Sequence, residues 1–216
     1  MTQTDETPRD CDVMAMGMQP YEPMWQRMQR FTDARDNDTD DVLWFCEHPP
    51  VFTLGMAAKR EHVLAPGAIP LVQIDRGGQV TYHGPGQLMV YPLINVRRHK
   101  LGVRDLVCAL ERSVIDLLAA SGIAAIGRRD APGVYVDGAK VASIGLRIRR
   151  GCSYHGMAVN VAMDLSPFER INPCGMEGLK VTDLASLGLS ANVDDIATQL
   201  TPYLGEQLKL RMRLAR

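Results

Sequence analysis

Two stretches of the chain carry the three- and four-residue spacing of apolar side chains that is typical of an amphipathic helix. From Val103 to Ala120, leucine and valine recur with this spacing, and Gly122 supplies a stop signal. Nearer the amino terminus, Pro23 fits the first turn of a second helix. The apolar stripe of that helix consists of Met24, Trp25, Met28 and Phe31. Both helices are expected to pack one face on a sheet.

Short apolar runs bounded by glycine, proline or charged residues predict strands between and after these helices. The predicted strands cover residues 42–46, 51–54, 69–74, 87–96, 133–136, 139–148 and 154–163. Asp137 and Gly138 separate two of these runs, and an Asp-Gly pair in that position favours a two-residue hairpin turn.

Helical spacing returns in residues 194–210, where Pro202 and Gly205 are expected to bend or interrupt the helix. The predicted strands outnumber the helices and show neither a regular alternation with them nor an internal repeat. The pattern therefore predicts an α/β (α+β) protein with a mixed sheet flanked by helices.

Length and composition fit one domain with a sizeable core, because the 216 residues are 46% hydrophobic. We expect this domain to span residues 18–216, after a flexible, polar tail over residues 1–17 that does not resemble a secretory signal. No apolar run approaches the roughly 18 residues of a membrane span. A formal net charge of -1 gives no global attraction for nucleic acid or an anionic membrane.

The five cysteines are odd in number, widely spaced and contain no Cys-x-x-Cys pair. This spacing argues against a disulfide framework and against a zinc site, so a reducing cytoplasm is the expected location.

The segment Arg76–Gln87 places four glycines and a proline around polar side chains. Taken alone, this segment is best explained by two tight turns, since it has neither the P-loop nor the dinucleotide-binding pattern.

Cys174 lies between Pro173 and Gly175, on a constrained turn whose backbone N–H groups could face a developing oxyanion. A lone cysteine is nevertheless more often a small buried hydrophobe than a nucleophile. Lys140 is unusual among small apolar residues, although a strand lysine that reaches for water is the common explanation. If the two meet, the ammonium group stabilises the thiolate. His83 is a rival base that the sequence alone does not rank against Lys140.

Four segments appear together in one order: Arg76–Gln87, Gly138–Gly145 with Lys140, Tyr154–Ala158 and Asn172–Gly175. Together they closely resemble the lipoyl(octanoyl) transferases, also called octanoyl-acyl carrier protein:protein octanoyltransferases, over roughly residues 41–187. The resemblance implies a fold like the catalytic domain of biotin and lipoate protein ligases. It also implies a ping-pong reaction in which a cysteine takes octanoate from octanoyl-acyl carrier protein and passes it to a lysine of a lipoyl domain.

In this resemblance Cys174 is the nucleophile and Lys140 stabilises its thiolate. The implied substrate-contacting positions are Arg76, Gly77, Gly78, Gln79, Val80, Thr81, Tyr82, His83, Ser143, Ile144, Gly145, Gly156, Met157 and Ala158. The implied donor is octanoyl-acyl carrier protein, and the implied acceptors are the lipoyl domains of 2-oxoacid dehydrogenase complexes and the glycine cleavage H protein. A thioester is already activated, so no cofactor and no metal are expected.

Three arginines near one strand end suggest a docking patch for acidic protein substrates, because opposite charges accelerate encounter. By hypothesis, Arg147, Arg149 and Arg150 steer the carrier protein. Reversing their charge should slow association in a salt-sensitive way, and unchanged kinetics at low salt would remove the idea.

Three other functions use the same features. An ATP-dependent lipoate or biotin ligase would share the fold but would not depend on Cys174, and the chain has no Gly-Arg-Gly-Arg loop of the biotin-ligase type. A non-catalytic acyl-binding or lipoyl-domain-binding protein would bind without turnover. A thiol hydrolase would differ only in admitting water to the acyl-enzyme.

Overall fold

The fold is built on a mixed sheet of eight strands and a second sheet of three, seen in a computed structural model that describes residues 8–189 and 192–214. The strands are β1 (Arg9–Met18), β2 (Asp41–Glu47), β3 (Val51–Leu54), β4 (Leu71–Gln73), β5 (Val80–His83), β6 (Gln87–Leu93), β7 (Ile126–Gly127), β8 (Gly133–Val136), β9 (Ala139–Arg149), β10 (Cys152–Asn160) and β11 (Leu210–Leu214). The helices are α1 (Tyr21–Ala34), α2 (Val103–Ala120) and α3 (Val193–Leu208).

The large sheet has the order β11-β1-β2-β6-β10-β9-β8-β7. Strand β1 runs parallel to both of its neighbours, β11 and β2, and the other pairs are antiparallel. The small sheet has the order β4-β3-β5 and is also mixed. The predicted mixed sheet flanked by helices is therefore confirmed.

Helices cover both faces of the large sheet, because each sheet face and each helix stripe must bury its apolar side chains. On one face, Leu110 of α2 and Leu200 of α3 belong to the same buried cluster as Val159 of β10. On the other face, Met24 and Met28 of α1 pack with Trp44, Met89 and Tyr91. The second cluster lies on the side of the sheet that carries the candidate site described below.

Residues 9–17, expected to be part of a flexible tail, lie within β1, so that expectation is wrong for them. Cys11 and Val13 are buried in the main core, and β1 hydrogen-bonds to β11 some 200 residues later. Pairing at that separation leaves no local signal in the sequence, which explains the error. Residues 1–7 of the expected tail lie outside the described residues.

Helix α3 runs through Pro202 and Gly205 without interruption, which corrects the expectation that these residues would break it. Leu200 and Leu204 are fully buried on one side of the helix, whereas Pro202 is exposed on the other. The burial of that apolar face outweighs the hydrogen bond that proline cannot donate. The helix ends instead at Lys209, which is left-handed with φ 56°. No helix in residues 8–189 or 192–214 combines the length and apolar character required to cross a membrane.

Candidate active site

The structure brings Lys140 and Cys174 together, although they are 34 positions apart in the chain. The Nζ atom of Lys140 lies 2.9 Å from the Sγ atom of Cys174. Lys140 is only 1% exposed, whereas Cys174 is partly exposed. An ammonium group held this close to a thiolate and away from water stabilises the anion strongly.

A β-bulge aims Lys140 at Cys174. On β8, Tyr135 pairs with Lys140 and the preceding residue, Val134, pairs with Ala142. Strand β9 therefore carries one extra, unpaired residue, Val141. An extra residue reverses the alternation of side chains between the two sheet faces. Lys140 and Ser143, three positions apart, consequently line the same cavity.

Lys140 is also fixed through its own backbone and by close neighbours. Its N–H donates to the carbonyl of Lys180 at 2.8 Å, and its carbonyl accepts from Thr182 at 2.9 Å. The ammonium lies 5.3 Å from the centroid of the Tyr135 ring, a cation–π distance. A Cβ atom on Gly133 would lie 2.5 Å from Cε of Lys140, so glycine is needed at that position.

Glu111 of α2 secures the backbone beside the lysine. Its carboxylate accepts a hydrogen bond from the N–H of Gly133 at 2.8 Å. Burial raises the pKa of Glu111, while this hydrogen bond and the Lys140 charge act in the opposite direction. The helix on the far side of the sheet thereby supports the strand end that packs on Lys140.

Cys174 occupies a strained turn. It has φ 58° and ψ 15° inside the 3-10 turn Pro173–Gly175, and a non-glycine residue rarely adopts such left-handed backbone. The N–H of Gly175 donates to the carbonyl of Asn172 at 3.0 Å, and the N–H of Met176 donates to the carbonyl of Pro173 at 3.0 Å. Two of the backbone N–H groups near Cys174, which were expected to face a developing oxyanion, are thus used within the turn.

A cavity of about 210 Å³ adjoins the Lys140–Cys174 pair. The predicted substrate-contacting residues that line it are Arg76, Gly78, Gln79, Val80, Thr81, His83, Ser143, Ile144, Gly145, Gly156, Met157 and Ala158. The other two lie elsewhere. Gly77 donates its N–H to the carbonyl of Leu146 at 3.0 Å, and Tyr82 packs its ring against Phe52 and Phe168.

Seven further residues line the cavity but were not predicted to contact a substrate: Tyr21, Met89, Tyr91, Asp130, Ala131, Pro132 and His155. Met89 and Tyr91 are two positions apart on β6, so strand periodicity places them on one face. The sequence could have identified that shared face, but not that it borders the Cys174 pocket.

His83, the rival base, is engaged elsewhere in this structure. Its Nδ1–H donates to Oε1 of Gln87 at 2.8 Å, and its Nε2 lies 3.3 Å from the Thr53 hydroxyl. The ring stacks on Tyr21 with centroids 5.5 Å apart. Burial, followed by the neighbouring His48 and Arg76, holds the pKa of His83 well below its usual value against the opposing Gln87 hydrogen bond, so the imidazole is neutral. His83 therefore forms cavity wall, and Lys140 is the group beside the sulfur.

His155 is left-handed, with φ 57° in the middle of β10, and its ring meets Asp75. The Nε2–H of His155 and the indole N–H of Trp25 each donate to Oδ1 of Asp75 at 2.9 Å, and the Tyr154 hydroxyl donates to Oδ2. Burial raises the pKa of Asp75, but these donors outweigh it and hold the value well below the usual range. Burial also lowers the pKa of His155.

Arg76 is a buried cation in the cavity wall. Its guanidinium donates to the carbonyl and hydroxyl oxygens of Thr53 at 2.8 and 3.0 Å and to the carbonyl of Gly77 at 2.9 Å. Burial lowers the pKa of Arg76. These acceptors are neutral, so none of them offsets the positive charge of Arg76.

The three arginines proposed to steer the carrier protein separate into two places. Arg149 pairs with the Asp33 carboxylate at 2.9 Å, and Arg150 donates to the Asp33 carbonyl at 2.9 Å, so both lie against the end of α1. Arg147 instead contacts the sulfur of Met56 at 3.0 Å, close to the glycine-rich segment. Met56 donates its N–H to the carbonyl of Arg76 at 2.9 Å, so Arg147 is the one of the three that lies beside the glycine-rich segment.

Comparisons with known proteins agree with this geometry. Residues 20–205 match the family model of the lipoyl protein ligase A/B catalytic domain. An octanoyltransferase of Xanthomonas campestris pv. campestris (strain B100) is 57% identical over 203 residues, covering 94% of this chain and 88% of that protein. An octanoyltransferase of Shewanella oneidensis is 58% identical over 196 residues, covering 91% and 90%.

Solved structures extend the similarity to the fold. A bi-partite lipoate protein ligase of Thermoplasma acidophilum superposes with a TM-score of 0.75 at 15% identity, covering 97% of this chain and 87% of that one. At this identity the likeness concerns architecture and leaves the reaction open. With the match to the family model and relatives above half identity over most of its length, the chain belongs to the lipoyl protein ligase A/B catalytic domain family.

Proposed function

We propose that this octanoyltransferase carries the octanoyl group as a thioester on Cys174, between a thioester donor and a lysine of a protein acceptor. The observation that carries the proposal is the 2.9 Å contact between Lys140 Nζ and Cys174 Sγ beside a cavity. Relatives named octanoyltransferase support the choice of acyl group.

In the first step the Cys174 thiolate attacks the carbonyl carbon of the donor thioester. The new carbon–sulfur bond forms as the bond to the donor sulfur breaks, and the Lys140 ammonium gives that leaving sulfur a proton. The products are octanoyl-Cys174, a free donor thiol and an uncharged Lys140 amine.

In the second step the uncharged amine of the acceptor lysine attacks the acyl-enzyme. The carbon–nitrogen bond forms, the carbon–sulfur bond to Cys174 breaks, and the proton lost by the attacking nitrogen returns to Lys140. The thiolate and ammonium pair is restored. Because a thioester is more reactive than the amide that replaces it, the exchange requires no nucleotide.

We further propose octanoyl-acyl carrier protein as the donor, in the cytoplasm. The proposed acceptors are lipoyl domains of 2-oxoacid dehydrogenase complexes and the glycine cleavage H protein. All of the chemistry is proposed to belong to one catalytic domain that includes β1 as well as residues 18–216. Arg147, beside the glycine-rich segment, is the better-placed candidate for contact with an acidic carrier protein.

An ATP-dependent ligase is the nearest alternative, because the fold is shared with lipoate ligases. A ligase would activate a free acid as an acyl-adenylate and would have no use for a thiol held by an ammonium group. The buried Lys140 is costly to the fold and is best explained by a reaction at Cys174.

Intact-mass measurement after mixing with octanoyl-acyl carrier protein tests the proposal. The wild type should gain one hydroxylamine-labile octanoyl group, and Cys174→Ser should gain none that is labile. Lys140→Met should acylate roughly 10²–10⁴-fold more slowly, because it removes the proton donor. The matched control is Cys108→Ser, at an exposed cysteine of α2, which should behave as wild type. Full transferase activity in Cys174→Ala would eliminate the covalent route.

A further inference from the structure

We propose that the octanoyl chain lies across the strands of the large sheet and that Met89 closes the far end of its cavity. Met89 is then the residue that sets the length of the acyl chain. This inference rests on the proposed function and adds the position and the limit of the substrate.

The strand register places the cavity floor in rows. Ser143 of β9 pairs with Ala158 of β10, and Ala158 pairs with Met89 of β6. Directly paired residues of antiparallel strands point to the same face. All three line the cavity, so they form one row that runs across the strands, perpendicular to them.

The side chains of this row are small until Met89. Ser143 and Ala158 are small, and the adjacent pair is Gly145 and Gly156. A Cβ atom on Gly156 would lie 1.9 Å from the carbonyl of Val90, so no larger residue fits there. Ser143 and Ala158 therefore leave a trough over β9 and β10, which Arg76 borders on the Gly145 side, and Met89 is the first large side chain of the row.

The cavity stops at β6. Cys46 of the next strand, β2, pairs with Met89 and is buried, and none of the residues that line the cavity comes from β2. Tyr91, two positions from Met89 on the same face, is fixed by its hydroxyl, which donates to Nε2 of His48 at 2.6 Å. Met89 is only 4% exposed, so it forms an end wall rather than a rim.

The length of the trough matches the substrate. Neighbouring strands lie about 4.8 Å apart, so two spacings from β9 to β6 span about 10 Å. An extended eight-carbon chain measures about 9 Å, at roughly 1.5 Å per carbon–carbon bond shortened by the zigzag. The reactive end belongs at β9, because Lys140 is on that strand and contacts Cys174. The methyl end then meets Met89.

A smaller side chain at Met89 should let the cavity accept a longer acyl chain. In Met89→Ala, the ratio of kcat/KM for decanoyl to octanoyl carrier protein should rise about tenfold over wild type, because two more methylenes can be buried. Met89→Val, a smaller change, should move the ratio in the same direction. Filling the trough with Ala158→Leu should instead favour hexanoyl over octanoyl donors.

The matched control is Met28→Ala, which truncates a fully buried methionine of the same apolar cluster on α1, outside the cavity. Its decanoyl-to-octanoyl ratio should equal that of wild type. A ratio unchanged in both Met89 variants, or changed equally in Met28→Ala, overturns the inference.

Binding of the free acids separates this inference from the proposed function. In a Cys174→Ala background, where no chemistry occurs, Met89→Ala should strengthen the binding of decanoate relative to octanoate by the same factor. Failure of the wild type to form an acyl-enzyme would contradict the covalent route, while this binding comparison would still decide where the chain ends.

Discussion

Asp75 joins three elements through one carboxylate. It accepts hydrogen bonds from Trp25 of α1 and from Tyr154 and His155 of β10, while lying itself just after β4. His155 needs this partner because the residue is only 1% exposed, and a buried ring N–H must be hydrogen-bonded. Asp75 is therefore a positioning residue for the wall of the site, with no contact to the sulfur required.

Replacing Asp75 with asparagine should reduce both stability and activity, because an amide cannot accept from three donors as a carboxylate does. We expect the free energy of unfolding to fall by roughly 1–3 kcal/mol in urea titrations at pH 7. The pKa of Asp75 is depressed by folding, so its stabilisation is present above about pH 4 and fades as the pH falls further. The difference between the two proteins should consequently narrow at pH 3.

The control is Asp116→Asn, which removes a carboxylate that accepts a single bond from Gln207, far from the cavity. That substitution should lower the free energy of unfolding by less than Asp75→Asn does, and it should leave activity intact. Equal losses for both variants would show that Asp75 has no special part in holding the site.

At the scale of elements, the hairpin of β8 and β9 positions Lys140, for which we propose a catalytic role. The bulge in β9 turns Lys140 to the cavity, and Gly133, with φ 145°, packs directly on its side chain. A Cβ atom there would also come within 2.2 Å of the carbonyl of Ala142. The same hairpin closes on Gly138, where a Cβ atom would meet open space.

Gly133→Ala and Gly138→Ala make a matched pair. Both introduce alanine at a positive φ, which costs about 1–2 kcal/mol at Gly138, and Gly133→Ala adds the clash with the Ala142 carbonyl and displaces Lys140. We expect Gly133→Ala to lower kcat about 10²-fold through misplacement of the ammonium group, and Gly138→Ala to keep near-normal kcat. Equal kcat values in the two purified, folded variants would refute this role of Gly133.

Local patterns predicted most of the elements. The periodic leucines and valines of α2 give its bounds, and the Asp-Gly pair gives the β8–β9 turn. Strands β1 and β11 were missed because their pairing joins the two ends of the chain, and β5 because it is short and glycine-flanked. Such strands are fixed by partners and not by their own sequence.

The candidate site was predicted less completely. Motif resemblance identified Cys174, Lys140 and most of the cavity wall, but the bulge and the Asp75 hydrogen bonds were not visible. A bulge depends on which residues pair across strands, and the sequence does not state that pairing. Asp75 lies in a loop, and only folding brings its three hydrogen-bond donors to it. Geometry of this kind arises only from tertiary pairing.

The molecule as a whole buries two neutral histidines where α1, β2 and the small sheet meet. His48 donates from Nδ1 to the carbonyl of Gln19 at 2.6 Å, and its Nε2 accepts from Tyr91. Its ring packs edge-on against Tyr21 and lies 6.1 Å from that of His83. Burial lowers the pKa of His48 to about 4.

The burial of His48 makes the folded protein less stable in mild acid. Between about pH 6.5 and 4 the unfolded chain binds a proton at residue 48 that the folded chain does not, so stability falls as the pH drops. The loss across this window should be about 3 kcal/mol for His48. Denaturant titrations at pH 7 and pH 4.5 should show it, with a smaller loss in His48→Gln. An identical pH dependence in the variant would contradict this assignment.

The central claim, that octanoate passes through Cys174, is tested most directly by a single-turnover chase. Octanoyl-enzyme, freed of donor, is mixed rapidly with an unmodified lipoyl domain, and both proteins are followed by intact mass. We predict that octanoate leaves Cys174 and appears as an amide on the acceptor at one common rate, at least as fast as steady-state kcat. An acyl-enzyme that persists, or that decays more slowly than the enzyme turns over with donor present, would contradict the account.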